Sequence, residues 1–170
     1  MKSVTRSSFN KPGNFNFFTE KSPFKENSIQ ITIRWNKPPA NITKLNIDGA
    51  FYKATLEVGL GEVFRNKDSD WIFGYYKSTY ASSVMHCELM ALHKGLKFAR
   101  HLGLCNIEVE TDSTDTILSL NEYNHNYSNL ILECRLLMHQ LKHPILKHNF
   151  REGNIIATCW QRKHEEFQNG

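Results

Sequence analysis

The segment that decides the fold is "KLNIDGAFYK", residues 44–53. Its apolar and polar residues alternate, which predicts a β-strand with Leu45 and Ile47 on one face and Asp48 on the other. Strands normally avoid aspartate, and Gly49 directly after it weakens strand pairing further. Two interpretations follow. Either the strand ends in a turn at Asp48 and Gly49, or a rigid strand displays the carboxylate in order to hold a ligand.

The composition fits one domain with a basic tail. The chain has 170 residues, of which 40% are hydrophobic, and this is enough for a sizeable core. Its formal net charge is +4, but residues 1–40 alone carry seven Lys or Arg against two acids, +5, so the remainder carries −1. A basic segment on a nearly neutral domain suits either weak attraction to phosphates or a solvated tail.

Cysteine spacing and hydropathy limit the class of protein. No C-x-x-C pair or zinc-binding spacing is present, so we expect reduced, mostly buried thiols in an intracellular protein, at Cys87, Cys105, Cys134 and Cys159. No apolar run approaches the roughly 20 residues that a membrane-spanning helix needs, so no membrane partner is expected. The basic, Ser-rich start faintly resembles an organellar transit peptide, but Pro12 and Gly13 interrupt any amphipathic helix there.

These observations predict a disordered basic tail over residues 1–34 and a folded domain over residues 35–167. We expect a monomer in the nucleus or cytoplasm, with an organelle as the weaker alternative.

The domain is predicted to contain a mixed sheet covered by helices, in the order βββ-α-β-α-α-β-α. The segments "ITKLNIDGAF", "VGLGEVFRN" and "WIFGYYKST" predict an antiparallel meander. Helical periodicity predicts a helix over residues 84–102, closed by Gly103. The strand "IEVETDS", a short helix capped by Ser113 and a longer helix ending before Pro144 follow. The strand "ILKHNFRE" and a helix capped by Asn154 complete the order, and this alternation favours an α/β fold.

Two further acids are candidates for chemistry. Glu88 falls on the face of its helix that carries small and apolar residues, where a carboxylate must be paired or metal-bound; an ion pair with a distant Lys or Arg is the alternative. Asp112 ends the strand "IEVETD", where the alternative is capping of the next helix. Glu108 and Glu110 share its face, and for both we expect solvent exposure.

Asp48, Glu88 and Asp112 would form an oxygen-rich site if they met on one side of the sheet. Such a site suits Mg²⁺, which prefers carboxylates and keeps water and phosphate oxygens as its other ligands. Two ions about 4 Å apart would align an attacking water and stabilise the leaving oxygen in phosphodiester hydrolysis.

The motifs "LNIDGAF", "VGLGEVFRN", "ELMALHKGLKFAR", "IEVETDS" and "FREGNIIA" resemble, in order and spacing, a known family. It is the ribonuclease H-like domain of plant retroelements and of plant proteins related to reverse transcriptase, and the resemblance covers about residues 35–163. It implies a five-stranded mixed sheet in the order 3-2-1-4-5, flanked by helices. It also implies cleavage of the RNA strand of RNA–DNA hybrids with Mg²⁺ or Mn²⁺ held by four acids. Asp48 would touch both ions, Glu88 would be the helix acid, and Asp112 would end the fourth strand.

The match departs from the family at the fourth acid. The family pattern Arg-Glu-x-Asn-x-x-Ala-Asp reads "REGNIIAT" here, which puts Thr158 at the Asp position. A neutral hydroxyl cannot replace an anionic ligand, so we expect one of the two ions to bind weakly and turnover to fall by orders of magnitude. Glu165 and Glu166 lie about two helical turns further, roughly 10 Å away, and Glu152 is expected to brace the helix start.

Several other motifs are given structural interpretations. The resemblance implies that Gly59 and Gly61 are small residues of the second strand. The alternative, a dinucleotide-binding loop, fails because the motif lacks a third glycine and is not followed by a helix. His148 is interpreted as structural, and the pair His139 and His143 lacks a third zinc ligand.

The hypotheses are a hybrid-cleaving ribonuclease that reads duplex shape, a degenerate domain that binds nucleic acid or protein without cleaving, and, more weakly, a transposase or exonuclease core.

Overall fold

The computed structural model describes residues 36–122 and 126–150. In chain order their elements are β1 (Thr43–Tyr52), β2 (Glu57–Arg65), β3 (Trp71–Tyr80), α1 (Val84–His101), β4 (Ile107–Thr111), α2 (Thr114–Ser119), α3 (Ser128–Gln140) and β5 (Ile145–His148). The predicted order βββ-α-β-α-α-β is therefore confirmed. The predicted tail over 1–34 and the last helix capped by Asn154 lie outside the described residues, as do Glu152, Thr158, Cys159, Glu165 and Glu166.

The five strands form one mixed sheet in the order β3-β2-β1-β4-β5, as the sequence predicts. β1 pairs antiparallel with β2, and β2 pairs antiparallel with β3, which gives the expected meander. β1 and β5 run parallel to β4 on either side of it. The meander and the parallel strands meet at β1, which is therefore the central strand.

Helix α1 packs against the face of the sheet that carries Leu45 and Ile47, both fully buried. The approach is close: a Cβ built on Gly95 in α1 would lie 2.9 Å from Leu45 Cδ2. Burial of apolar side chains between this helix and the sheet stabilises the domain. Within the described part of the chain, no helix combines the length and apolar character needed to cross a membrane.

One carboxylic acid lies within this apolar interface. Glu62 in β2 is fully buried, and its register partners in the neighbouring strands are Ile47 and Tyr75. Neither of its carboxyl oxygens has a hydrogen-bond partner among the described residues. Burial raises the pKa of Glu62 to about 8, against the opposing attraction of Lys94 in α1. Burial therefore favours the neutral, protonated form of this side chain in the folded protein.

Candidate metal centre

The three predicted acids converge. Asp48 lies in β1, Glu88 in α1 and Asp112 directly after β4. Each offers a carboxylate oxygen, and these three oxygens lie within 4.8 Å of one another. Asp48 and Glu88 are buried, and Asp112 is half-buried. Residues from two strands and a helix thus form one compact acidic cluster.

Asp48 is held by continuous strand pairing. β1 continues to Tyr52, and Asp48 and Gly49 are paired with Gly61 and Leu60 of β2. The interpretation that the strand ends in a turn at Asp48 is therefore wrong, because pairing with β2 stabilises the strand across the unfavourable residues. On the other side, the parallel pairing of β1 with β4 stops before Asp48.

Gly49 allows helix α1 to approach the strand beside Asp48. A Cβ at this position would lie 2.6 Å from Cys87 Sγ, closer than non-bonded atoms tolerate. Cys87 directly precedes Glu88, so this contact brings the helix acid to the strand acid. Burial raises the pKa of the Cys87 thiol to about 12, and the charges of Glu88 and Asp48 act in the same direction.

The start of helix α1 is fixed by side-chain hydrogen bonds. Ser83 is the N-cap residue, and its Oγ accepts a hydrogen bond of 3.1 Å from the backbone N–H of His86. The hydroxyls of Ser83 and Tyr127 lie 2.7 Å apart, which links this helix end to the start of α3. The His86 ring stacks on the Tyr127 ring with centroids 5.2 Å apart. These contacts fix the first turn of the helix, and Glu88 lies directly after it.

Asp112 is not the cap of the helix that follows it. Ser113 is the N-cap of α2, as the sequence predicts, and its Oγ accepts a hydrogen bond of 3.2 Å from the Thr116 N–H. The Ser113 N–H in turn donates to Thr111 Oγ1 at 3.1 Å. The capping alternative for Asp112 is therefore excluded, and its carboxylate contributes to the acidic cluster.

The expectation that Glu108 and Glu110 are solvent-exposed is wrong. Both are buried, with exposed fractions of 3% and 5%. Glu108 lies 3.1 Å from Lys44 Nζ and 2.6 Å from Lys147 Nζ, and Glu110 also pairs with Lys44. Burial alone would raise the pKa of Glu108, but hydrogen bonds from the two lysines outweigh it, and the pKa is lowered. The acids are buried because cations on the neighbouring strands, β1 and β5, compensate their charge.

The buried polar cluster is what sequence reasoning missed around the site. Lys44 and Asn46 share a strand face with Asp48, while Glu108 and Glu110 share one with Asp112. The sequence therefore places a lysine on one face of the first strand and two glutamates on one face of the fourth. Only the parallel pairing of β1 with β4 brings these opposite charges next to each other.

The remaining predicted residues lie as follows. Gly59 and Gly61 are both inside β2, and a Cβ on Gly59 would meet the Tyr76 hydroxyl at 3.2 Å. His148 is exposed at the end of β5, with its ring edge-on to Phe150, and its structural role stays a prediction. The rings of His139 and His143 meet edge to face at 5.3 Å, and no third ligand joins them among the described residues.

The donor set of the acidic cluster fits a metal ion. Three carboxylates provide only hard, anionic oxygen ligands, the type preferred by Mg²⁺, Mn²⁺ and Ca²⁺ over the softer transition metals. Asp48 and Glu88 are buried together, and a bound cation would offset the cost of holding two carboxylates away from water. The cluster is therefore a candidate metal centre.

Comparisons with solved structures identify the fold as ribonuclease H-like. Ribonuclease H1 from the archaeon Halobacterium salinarum superposes with a TM-score of 0.61 at 18% identity, covering 66% of this chain and 89% of that protein. The N-terminal ribonuclease H domain of a Mycobacterium tuberculosis protein gives 0.63 at 18% identity, covering 68% and 87%. LC11 ribonuclease H1, isolated from compost and solved in complex with an RNA/DNA hybrid, gives 0.60 at 14% identity, covering 66% and 88%.

A family model assigns the chain more closely. The reverse transcriptase-like family matches residues 46–164, which is well over half of the sequence. The chain belongs to this family, and the resemblance seen in its motifs is confirmed at that level. No match was found among curated proteins.

Proposed function

We propose that this protein is a metal-dependent ribonuclease that hydrolyses the RNA strand of RNA–DNA hybrids. Asp48, Glu88 and Asp112 are the proposed catalytic residues and metal ligands. The observation that carries the proposal is the convergence of these three carboxylates, within 4.8 Å, on a fold shared with ribonuclease H1 enzymes. A fold by itself would not imply this chemistry, but an acidic cluster at this place in the fold supports it.

The proposed cofactor is Mg²⁺ or Mn²⁺, with two ions expected. When bound, they would supply charge compensation for the scissile phosphate and activation of the attacking water. The chain's own contribution is positional. Asp48 is fixed by the pairing of β1 with β2, and Glu88 by the capped first turn of α1. Carboxylates held in place before substrate binds need little reorganisation during the reaction.

The proposed substrate is recognised by shape. An RNA–DNA hybrid differs from duplex DNA by its 2′-hydroxyls and its A-like groove geometry, which proteins contact through the backbone rather than the bases. The ribonuclease H1 isolated from compost was solved with such a hybrid, which supports this substrate class for a chain of the same fold. We expect binding to be strongly salt-dependent, because the contacts are mainly to phosphates.

The residue at the family's fourth acidic position favours a second candidate function. Thr158 supplies no anionic ligand, so one ion would be held weakly and turnover reduced. The alternative is a domain that binds nucleic acid or a partner protein but does not cleave. The two candidates share the fold and the three acids, and they differ only in whether the remaining ligands support hydrolysis.

A cleavage assay on a labelled RNA–DNA hybrid, with Mg²⁺ and separately with Mn²⁺, tests the proposal. It compares the natural chain with Asp48→Asn, Thr158→Asp and, as a matched loss of one exposed carboxylate, Asp115→Asn. We expect the natural chain and Asp115→Asn to cleave, Asp48→Asn to be inactive and Thr158→Asp to be faster. Cleavage only by Thr158→Asp would favour the non-cleaving domain, and equal cleavage by Asp48→Asn would refute the assigned site.

A further inference from the structure

Glu110 is the centre of a buried hydrogen-bond cluster next to the acidic site. Its carboxylate accepts a hydrogen bond from Lys44 Nζ in β1, one of 2.9 Å from Asn46 Nδ2 in the same strand, and one of 3.0 Å from Asn149 Nδ2, directly after β5. One carboxylate thus ties together β1, β4 and the segment that follows β5. Main-chain pairing already joins these strands, so the fold does not require the side-chain hydrogen bonds of Glu110.

This cluster lies two residues before the proposed metal ligands Asp48 and Asp112 in both strands. Asn46 and Glu110 are the last register pair between β1 and β4. Asp48 and Asp112 each follow two residues later, and residues two apart in a strand share a face. The hydrogen bond from Asn46 to Glu110 therefore joins the side chains of the two strands two residues before the two acids.

We propose that Glu110 is a positioning residue, which sets the separation of Asp48 and Asp112 and thereby the affinity of the site for divalent ions. The inference deepens the proposed function and rests on it. The Asn149 residue that donates to Glu110 also donates a backbone N–H hydrogen bond of 2.9 Å to the carbonyl of Thr111, the residue before Asp112. Glu110 therefore braces β1, two residues before Asp48, against the segment that holds the end of β4. Groups that hold metal ligands in place without touching the metal are known to control its affinity.

Glu108 provides a matched control in the same strand. It has the same side chain, faces the same side of the sheet, is similarly buried and also pairs with Lys44. It lies two residues further from Asp112, and its second partner is Lys147 in β5. Replacing either glutamate by methionine removes one negative charge and both acceptor oxygens from the same buried cluster, but only Glu110 holds the link to Asn46. Glutamine would not serve, because its amide oxygen could still accept the hydrogen bond from Asn46.

The test is Mn²⁺ binding to the full chain, followed by electron paramagnetic resonance of the free ion and by calorimetry. We compare the natural chain, Glu110→Met, Glu108→Met and Asp48→Asn, and record thermal unfolding of each without metal. Glu110→Met should bind Mn²⁺ about 10-fold more weakly, the lower end of the range for lost outer-sphere partners, because Glu110 acts through Asn46 and Asn149 rather than on a ligand. Glu108→Met should stay within about twofold of the natural chain, although both lose stability without metal.

A second variant keeps the proposal testable if Glu110→Met does not fold. Asn46→Ala removes the same link from the β1 side and should also weaken Mn²⁺ binding. Where both fold, the double variant should bind no more weakly than Glu110→Met alone, because both substitutions break the hydrogen bond between Asn46 and Glu110.

Equal loss of affinity in Glu110→Met and Glu108→Met, additive effects in the double variant, or unchanged binding by Asn46→Ala would each overturn the inference while leaving the metal site in place. Absence of Mn²⁺ binding by the natural chain would overturn the proposed metal-dependent function, and the inference with it.

Discussion

Replacing Glu62 by glutamine should stabilise the protein in a pH-dependent way. The side chain is fully buried between the sheet and α1, and the substitution keeps its size while removing its ability to ionise. Burial raises the pKa of Glu62 from the ordinary value of 4.5 to about 8 in the folded state, with Lys94 opposing the shift. The unfolded chain has no such burial, so its carboxyl ionises near the ordinary value.

The sign of the effect follows from proton binding. Between pH 4.5 and about 8 the folded protein keeps the proton on Glu62 while the unfolded chain releases it, so the unfolded state binds fewer protons. The free energy of unfolding of the natural chain therefore falls as the pH rises through this window. Above about pH 8, ionisation of Glu62 lowers the free energy of unfolding no further. The pKa of Glu62 differs by about 3.5 between the folded and unfolded states, and one pKa unit corresponds to about 1.36 kcal/mol. The loss in the free energy of unfolding at alkaline pH is therefore at most roughly 5 kcal/mol.

Urea unfolding of Glu62→Gln and the natural chain, from about pH 5 to about pH 9 at constant ionic strength, measures this difference directly. The two proteins should be nearly equally stable at the acid end, and the variant should become progressively more stable towards the alkaline end. Other titrating groups cancel in the comparison. Glu57→Gln, at the partly exposed start of the same strand, should show no such trend. A stability difference that does not change with pH would refute the burial of an ionisable Glu62.

Three further outcomes are expected. Gly49→Ala would place a Cβ 2.6 Å from Cys87 Sγ, so it should lower the free energy of unfolding by about 1–3 kcal/mol and reduce cleavage of the hybrid. Urea unfolding identical to that of the natural chain would contradict the close approach of α1 to β1. Ser83→Ala removes the N-cap of α1 and should cost about 1 kcal/mol in thermal unfolding, so an unchanged midpoint would argue against the cap. Iodoacetamide should label the exposed Cys105 in the folded protein. Cys87 and Cys134 should react only after unfolding, because burial raises the pKa of both thiols to about 12. Peptide mass spectrometry measures the labelling, and labelling of Cys87 or Cys134 in the folded protein would contradict the prediction.

The order of the elements was predictable because its signals are local. Alternation around Leu45 and helical periodicity after Ser83 depend only on neighbours in sequence, and the structure follows them. The convergence of Asp48, Glu88 and Asp112 was also predicted, since each of the three lay at an unfavourable or strand-terminal position for its residue type.

The errors concern interactions between distant segments. Alternation assigns a polar residue to the solvent side, so Glu108 and Glu110 were expected to be exposed, and only the pairing of β4 with β1 and β5 brings them to lysines. The same applies to the end of β1, which β2 extends past Asp48. Glu62 is a different case. Its alternation with Leu60 and Phe64 placed it on the apolar face, so its burial could have been predicted from the sequence.

The early end of the pairing between β1 and β4 leaves the two strand acids anchored to different neighbours. Asp48 is anchored to β2, whereas Asp112 lies just beyond the last residue of β4. The end of β4 depends instead on its other neighbour, because Thr111 pairs with His148 of β5 and its carbonyl accepts a hydrogen bond from the Asn149 N–H. The separation of the two carboxylates therefore depends on β2 on one side of the sheet and on β5 on the other.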